Sequence, residues 1–157
     1  MQTEEFARNP VLRGYWYAVA RSSDVAPGPH AVTVLGERLV LWRTADGALT
    51  AARDRCPHRE APLSCGQVVE TGVQCPSHGW TCGACVRILS ASPAQAVPPT
   101  ARLTMAHATE RYGFAWVSLD APVADIPAMA SDGEARCRRL NTPVEVWRVS
   151  STRMADD

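Results

Sequence analysis

The 157-residue sequence contains no lysine, and all sixteen of its basic side chains are arginine. Sixteen acidic residues balance them, so the formal net charge is +0. A neutral chain projects no field toward nucleic acid or an acidic membrane surface, and neither is expected as a partner. No apolar run approaches the ~20 residues a membrane-spanning helix needs. The opening MQTEEFARNP is acidic and polar, unlike a signal peptide. The expected compartment is therefore the cytoplasm, where thiols stay reduced. Six cysteines there read as metal ligands or spare thiols rather than as a disulfide framework. No G-x-G-x-x-G motif is present, so no dinucleotide site of that kind is expected. Internal repeats, low-complexity tracts and sustained helical periodicity are absent as well.

What remains is a succession of short apolar and β-branched runs punctuated by turn residues. Strands are expected at 14–20, 31–36 and 37–43, the last two joined near Gly36. Asp46-Gly47 is a strong hairpin signal and predicts that 48–53 pairs back onto 38–43. Residues 67–69 and 72–75 form a small hairpin, and 78–82 with 85–89 another, turning at Gly83-Ala84. The Pro-rich 90–99 is a connection. Residues 102–108 and 112–119 make a hairpin around Glu110-Arg111, and 144–150 one more strand. The pattern predicts an all-β fold, a small antiparallel sandwich or barrel.

Residues 56–80 read CPHREAPLSCGQVVETGVQCPSHGW. Cys56-x-His58 and Cys75-x-x-His78 each join one cysteine to one histidine, behind a Cys-Pro dipeptide. Two Cys and two His are a legitimate zinc set, but zinc fingers usually space Cys with Cys and His with His. The mixing suits two metals sharing a site, one iron taking both cysteines and the other both histidines. Neutral imidazoles leave such a cluster less negative than four thiolates would, so it accepts an electron more easily. On the residues alone, zinc, iron–sulfur and coincidence compete.

Cys56-Pro57-His58-Arg59 and Cys75-Pro76-Ser77-His78-Gly79-Trp80 closely resemble the cluster motifs of Rieske proteins. The flanking text is similar to one branch, the Rieske non-haem iron oxygenases that hydroxylate or demethylate aromatic compounds. The shared features are Trp16-Tyr17, Leu35-Gly36-Glu37-Arg38, Leu41-Trp42-Arg43, Asp54-Arg55, Ala61-Pro62-Leu63-Ser64 and Tyr112-Gly113-Phe114-Ala115-Trp116-Val117. The resemblance implies a Rieske domain over 1–120, with cluster-binding loops within 54–90 forming their own subdomain. Residues 121–157 would lead toward a catalytic domain absent from this chain. It implies one [2Fe–2S] cluster per chain, with Cys56 and Cys75 on the buried iron and His58 and His78 on the outer one. A reductase or ferredoxin would be the electron donor, and a mononuclear iron in an oxygenase catalytic domain the acceptor.

Respiratory Rieske proteins carry disulfide cysteines where Ala61 and Ser77 stand, and Ser and Tyr where Trp80 and Cys82 stand. The hydrogen bonds that raise the potential are therefore expected to be missing here, and the potential to lie toward the low end of roughly −150 to +300 mV. Oxygenase-type sequences have glycine in place of Glu60, an aromatic in place of Ser77, and a longer hairpin than 80–88.

Cys65, Cys82, Cys85 and Cys137 are surplus to the cluster, and Cys82-x-x-Cys85 reads as two incidental thiols. Trp16, Trp42, Trp116 and Trp147 fit core positions on strands, while Trp80 is placed to shield the cluster from water. Arg55 and Arg59 are either a docking surface for an acidic donor or solvated side chains. A mononuclear iron needs two His and a carboxylate. Only His30 and His107 remain, far apart in sequence, so no complete catalytic site is expected. The expected function is the electron-transfer part of an oxygenase. The alternatives are a free-standing Rieske-type ferredoxin and a zinc-stabilised binding module.

Overall fold

The computed structural model describes residues 9–25, 27–83, 88–90, 97–138 and 140. Its strands are β1 (Tyr17–Arg21), β2 (His30–Val34), β3 (Glu37–Arg43), β4 (Leu49–Arg53), β5 (Gln67–Val69), β6 (Gly72–Gln74), β7 (Thr81–Cys82), β8 (Ile88–Ser90), β9 (Met105–Arg111) and β10 (Phe114–Ser118). All pairings are antiparallel. Six strands form one sheet in the order β1-β10-β9-β4-β3-β2. Its edge strands β1 and β2 face each other across a cleft lined by Tyr17–Val19 and His30–Leu35, so the sheet is a nearly closed barrel. The second sheet, β5-β6-β7-β8, carries the two Cys/His loops.

Strand β3 explains how the two sheets become one body. Leu39, Val40, Leu41 and Trp42 are all buried, although strand side chains alternate between faces. Leu39 and Leu41 join Val25, Val34, Ala51, Ala115 and Val117 inside the barrel. Val40 and Trp42 join Leu63, Val73, Trp80 and Leu103 between the barrel and the small sheet. A strand covered on both sides reads as an unbroken apolar run, and ERLVLWR does so. Its partner β4 divides the same way, Ala51 to the barrel interior and Ala52 to the second core.

The predicted hairpins are present, with corrections at their ends. Leu35 and Gly36 have φ of 49° and 77°, a two-residue left-handed turn whose twist suits the strands it joins. Asp46-Gly47 lies in a longer loop closed by the hydrogen bond from Gly47 N to Thr44 O. The β9–β10 turn is Tyr112-Gly113, not Glu110-Arg111. Tyr112 accepts the left-handed conformation because its hydroxyl is anchored, donating to Pro127 O and accepting from Met129 N–H. Residues 14–16 precede β1 rather than belonging to it. Gly14 ends a 3-10 turn packed on Ala121 and Val123, where a Cβ would come within 3.0 Å of both. Trp42 is fully buried, whereas Trp16 and Trp116 are half-buried. Cys85, the Gly83-Ala84 turn in part, and the expected strand 144–150 with Trp147 lie outside the described residues. No helix among the described residues is long and apolar enough to cross a membrane.

Candidate metal centre

Two loops of the same construction meet at one end of the small sheet. The first leaves β4 and runs Cys56-Pro57-His58-Arg59-Glu60-Ala61, and the second joins β6 to β7 through Cys75-Pro76-Ser77-His78-Gly79-Trp80. In the first, Cys56 N donates to Ala61 O at 2.9 Å and Glu60 N to Cys56 O at 2.8 Å. In the second, Cys75 N donates to Trp80 O at 2.8 Å and Gly79 N to Cys75 O at 3.1 Å. The fifth residue of each loop is left-handed, with φ of 61° at Glu60 and 71° at Gly79. Each loop thus folds back onto its own cysteine and presents its histidine at the tip.

The loops are pinned from behind. The carboxylate of Asp54, a buried residue, accepts hydrogen bonds from Ser64 N–H and Ser64 O–H, both at 2.7 Å, and an ion pair from Arg38 at 3.0 Å. This ties the start of the first loop to its far side. Sequence reading places Asp54 only as part of a motif, and its holding role emerges with its contacts. At the start of β6, which leads into the second loop, Gly72 has φ 147°, and a Cβ there would sit 2.1 Å from Cys82 O. Only glycine lets β6 and β7 come this close.

The structure brings the four predicted residues together. Cys56 and Cys75 are buried, 1% and 2% exposed, while His58 is half-buried and His78 exposed. The two imidazoles lie 4.6 Å apart, edge to face. Trp80 stacks on His58, centroids 4.5 Å apart and planes 13° from parallel. It covers one face of that imidazole. His58 Nδ1 is buried and has no hydrogen-bond partner among the described residues. A buried ring nitrogen without a partner is costly unless something binds it. Beside it, Pro57, His58, Trp80, Thr100, Ala101 and Arg102 line an open groove of about 320 Å³.

Cys82 also belongs here, although its sequence context marks it as incidental. It is fully buried in the same packed cluster as Cys56 and Cys75. The Cys82 thiol is the main reason the Cys56 thiol is pulled down to about 5. Burial pushes the Cys75 thiol up. Cys82 is itself pushed well above the usual thiol range, first by the Cys56 thiol and then by burial. Cys65 and Cys137 are exposed, and His30 on β2 and His107 on β9 stand apart from the loops.

The donor set fits a two-iron cluster. Two buried cysteines can be thiolates, and two imidazoles lie on the outer side. Among the described residues no three or more His, Cys, Asp or Glu close on a single-ion site. Pairs of ligands on two separate metal atoms do not require such convergence.

Comparisons with known proteins agree with this geometry. The family model for the Rieske [2Fe–2S] domain matches residues 15–102. Methylxanthine N1-demethylase NdmA of Pseudomonas putida is 34% identical over 153 residues, covering 90% of this chain and 43% of its own length. Putative toluene-4-sulfonate monooxygenase system iron-sulfur subunit TsaM2 of Comamonas testosteroni is 37% identical over 121 residues, covering 74% of this chain and 34% of its own. The solved structure of Pseudomonas putida CBB5 NdmA superposes with a TM-score of 0.74 at 31% identity, over 84% of this chain and 42% of that one. The chain thus spans less than half the length of these relatives. With the match extending over more than half of its residues, the chain belongs to the Rieske [2Fe–2S] domain family, whose cofactor is a Rieske-type [2Fe–2S] cluster.

Proposed function

We propose that Cys56 and Cys75 ligate the inner iron of the cluster and His58 and His78 the outer one, and that the chain is the electron-transfer part of an oxygenase. The carrying observation is the pair of equivalent loops that buries both cysteines and holds both imidazoles outward within 4.6 Å of each other. When bound, the cluster supplies a one-electron couple. The protein's own groups do the rest. The loop hydrogen bonds hold the cysteines in place, Trp80 excludes water from one side of His58, and exposed His78 offers a partner the shortest approach.

The donor in this reading is a reductase or ferredoxin, and the acceptor is a mononuclear iron carried by an oxygenase catalytic domain. Residues 1–120 constitute the Rieske domain and 121–157 the passage toward that catalytic domain, in the cytoplasm. Supporting this are the demethylase and monooxygenase names of the relatives. An oxidoreductase, NdmD of Pseudomonas putida, is also 30% identical over 125 residues. The same relatives disfavour a free-standing ferredoxin.

The test is electron paramagnetic resonance on anaerobically purified protein before and after dithionite, with iron and zinc quantified on the same sample. The expected result is a reduced-state signal of low average g and two irons per chain, lost in His58→Ala and His78→Ala. A silent sample with one zinc, or a His58→Ala variant with an unchanged signal, overturns the ligand assignment.

A further inference from the structure

We propose that the arginine-rimmed cleft behind the first loop is where the electron donor docks, through an acidic surface segment of that protein, leaving the histidine side free for the acceptor. This deepens the functional reading above and rests on it. The cleft is open, holds about 410 Å³ and is lined by Glu37, Arg38, Arg53, Asp54, Arg55 and Glu60. Its charges are sorted by depth. The Asp54 side chain is 0% exposed and that of Glu37 24%, whereas those of Arg38, Arg53 and Arg55 are 64%, 44% and 58% exposed. The two deep carboxylates are also engaged from behind, Asp54 by Ser64 and Glu37 by Arg13. An incoming protein surface therefore meets guanidinium N–H groups before it meets most of the negative charge.

The fold holds these groups in position. Arg38 pairs with Asp54 at 3.0 Å and Arg53 with Glu37 at 2.8 Å, each carboxylate lying beneath its guanidinium. A guanidinium has five N–H donors, so one buried carboxylate leaves others free to grip a partner's carboxylates in bidentate fashion. Arg55 pairs only with Glu60, at 2.7 Å, and that side chain is 67% exposed. A surface pair of this kind is worth little and exchanges readily for a carboxylate of the partner. Arg55 also adjoins Cys56, so the contact lies one residue from an inner ligand. The groove beside His58 is built differently. Its one lining guanidinium, Arg102, donates to the carbonyls of Pro99 and Ala101 in its own turn. Docking in the cleft precedes transfer of one electron: the donor is oxidised, the cluster is reduced, and no bond forms or breaks.

The probe is a plant-type [2Fe–2S] ferredoxin with a strongly acidic surface, whose potential lies below that of Rieske centres. Wild type, Arg53→Gln, Arg55→Gln, Arg59→Gln and Arg102→Gln are compared, each shown to hold two irons and to be reduced by dithionite at the wild-type rate. Isothermal titration with both proteins oxidised gives the affinity, and stopped-flow mixing with reduced ferredoxin gives the transfer rate. Arg53→Gln and Arg55→Gln should each weaken binding and slow transfer about fivefold at low salt. Arg59→Gln and Arg102→Gln remove the same charge beside His58 and should change both less than twofold. The wild-type advantage should vanish between about 0.01 and 1 M salt, as the screening length falls from about 30 to about 3 Å. An equal loss in all four variants, or a larger one in Arg59→Gln and Arg102→Gln, places docking elsewhere and overturns the proposal. So does a two-iron wild type that does not bind the ferredoxin, or whose transfer rate ignores salt. Should Arg53→Gln fail to load iron, Arg55→Gln decides, since its pair with Glu60 is exposed. A wild type without a two-iron signal fails at the functional reading first, before any variant is compared.

Discussion

Glu60 and Gly79 occupy the same place in two loops of one design, each four residues after a cysteine and each left-handed, at φ 61° and 71°. Gly79 adopts this backbone without cost, whereas Glu60 is strained by about 1 kcal/mol or more. Its carboxylate pairs with Arg55 at 2.7 Å, but both side chains are largely exposed and the pair offsets little of that strain. Glu60→Gly should therefore stabilise the protein by about 1 kcal/mol, raising Tm by roughly 2–4 °C for a chain of this size. Thermal unfolding of the iron-loaded protein checks this. A lower Tm would mean that the Arg55 pair holds the loop.

Asp54 is the acceptor for two Ser64 donors. Asp54→Ala leaves the Ser64 N–H without its partner and should cost about 1–3 kcal/mol. Since the first loop is tied down by this carboxylate, iron retention in the presence of a chelator should fall too. Asp54→Asn keeps an acceptor oxygen and should retain iron better than Asp54→Ala. If the two variants lose iron at the same rate, the charge rather than the hydrogen bonds holds the loop.

Trp80 is 2% exposed and stacked on His58. Trp80→Ala removes a large buried side chain and should cost about 3–5 kcal/mol in urea unfolding. It also uncovers one face of His58, so solvent access near the cluster, read by deuteron electron spin echo modulation, should rise. Trp80→Phe retains a ring and should lose much less of both. Unchanged deuteron modulation in Trp80→Ala would remove the shielding role.

Arg43 braces the barrel end, donating to Ser22 O, Val25 O and Gly47 O and pairing with both Glu110 oxygens at 2.7 and 2.9 Å. The Arg43 hydrogen bonds hold the Glu110 carboxyl below its ordinary value of 4.5. A depressed folded pKa stabilises the protein above the unfolded value, and that contribution disappears as pH falls through the folded one. Stability should therefore drop below about pH 4.5 with a component that Glu110→Gln lacks. Unfolding midpoints from pH 7 to pH 3 measure it. Parallel profiles for the two proteins would place the acid sensitivity elsewhere.

The strand pairs were legible because two local rules agree, alternation along the strand and glycine-bearing turns between strands. Leu35-Gly36 and Asp46-Gly47 are read correctly on that basis. Tyr112-Gly113 is misread by two residues because the hydroxyl that anchors Tyr112 reaches Pro127 and Met129, far along the chain. The turn residues alone contain no trace of that tether. The four candidate ligands were legible for a different reason. A metal site needs particular atoms at short spacing, and Cys-Pro-His and Cys-Pro-Ser-His display them in the text.

By itself the sequence determined the kinds of element and the candidate ligands of the site, since periodicity, turn chemistry and ligand type are properties of neighbouring residues. Tertiary structure alone decided which face of β3 meets which core, that the two loops share one closure, and that Asp54 ties down the first of them. It also packed Cys82 into one buried cluster with Cys56 and Cys75. These relations join residues of separate strands and loops, and the packing of the small sheet against the barrel brings them into contact.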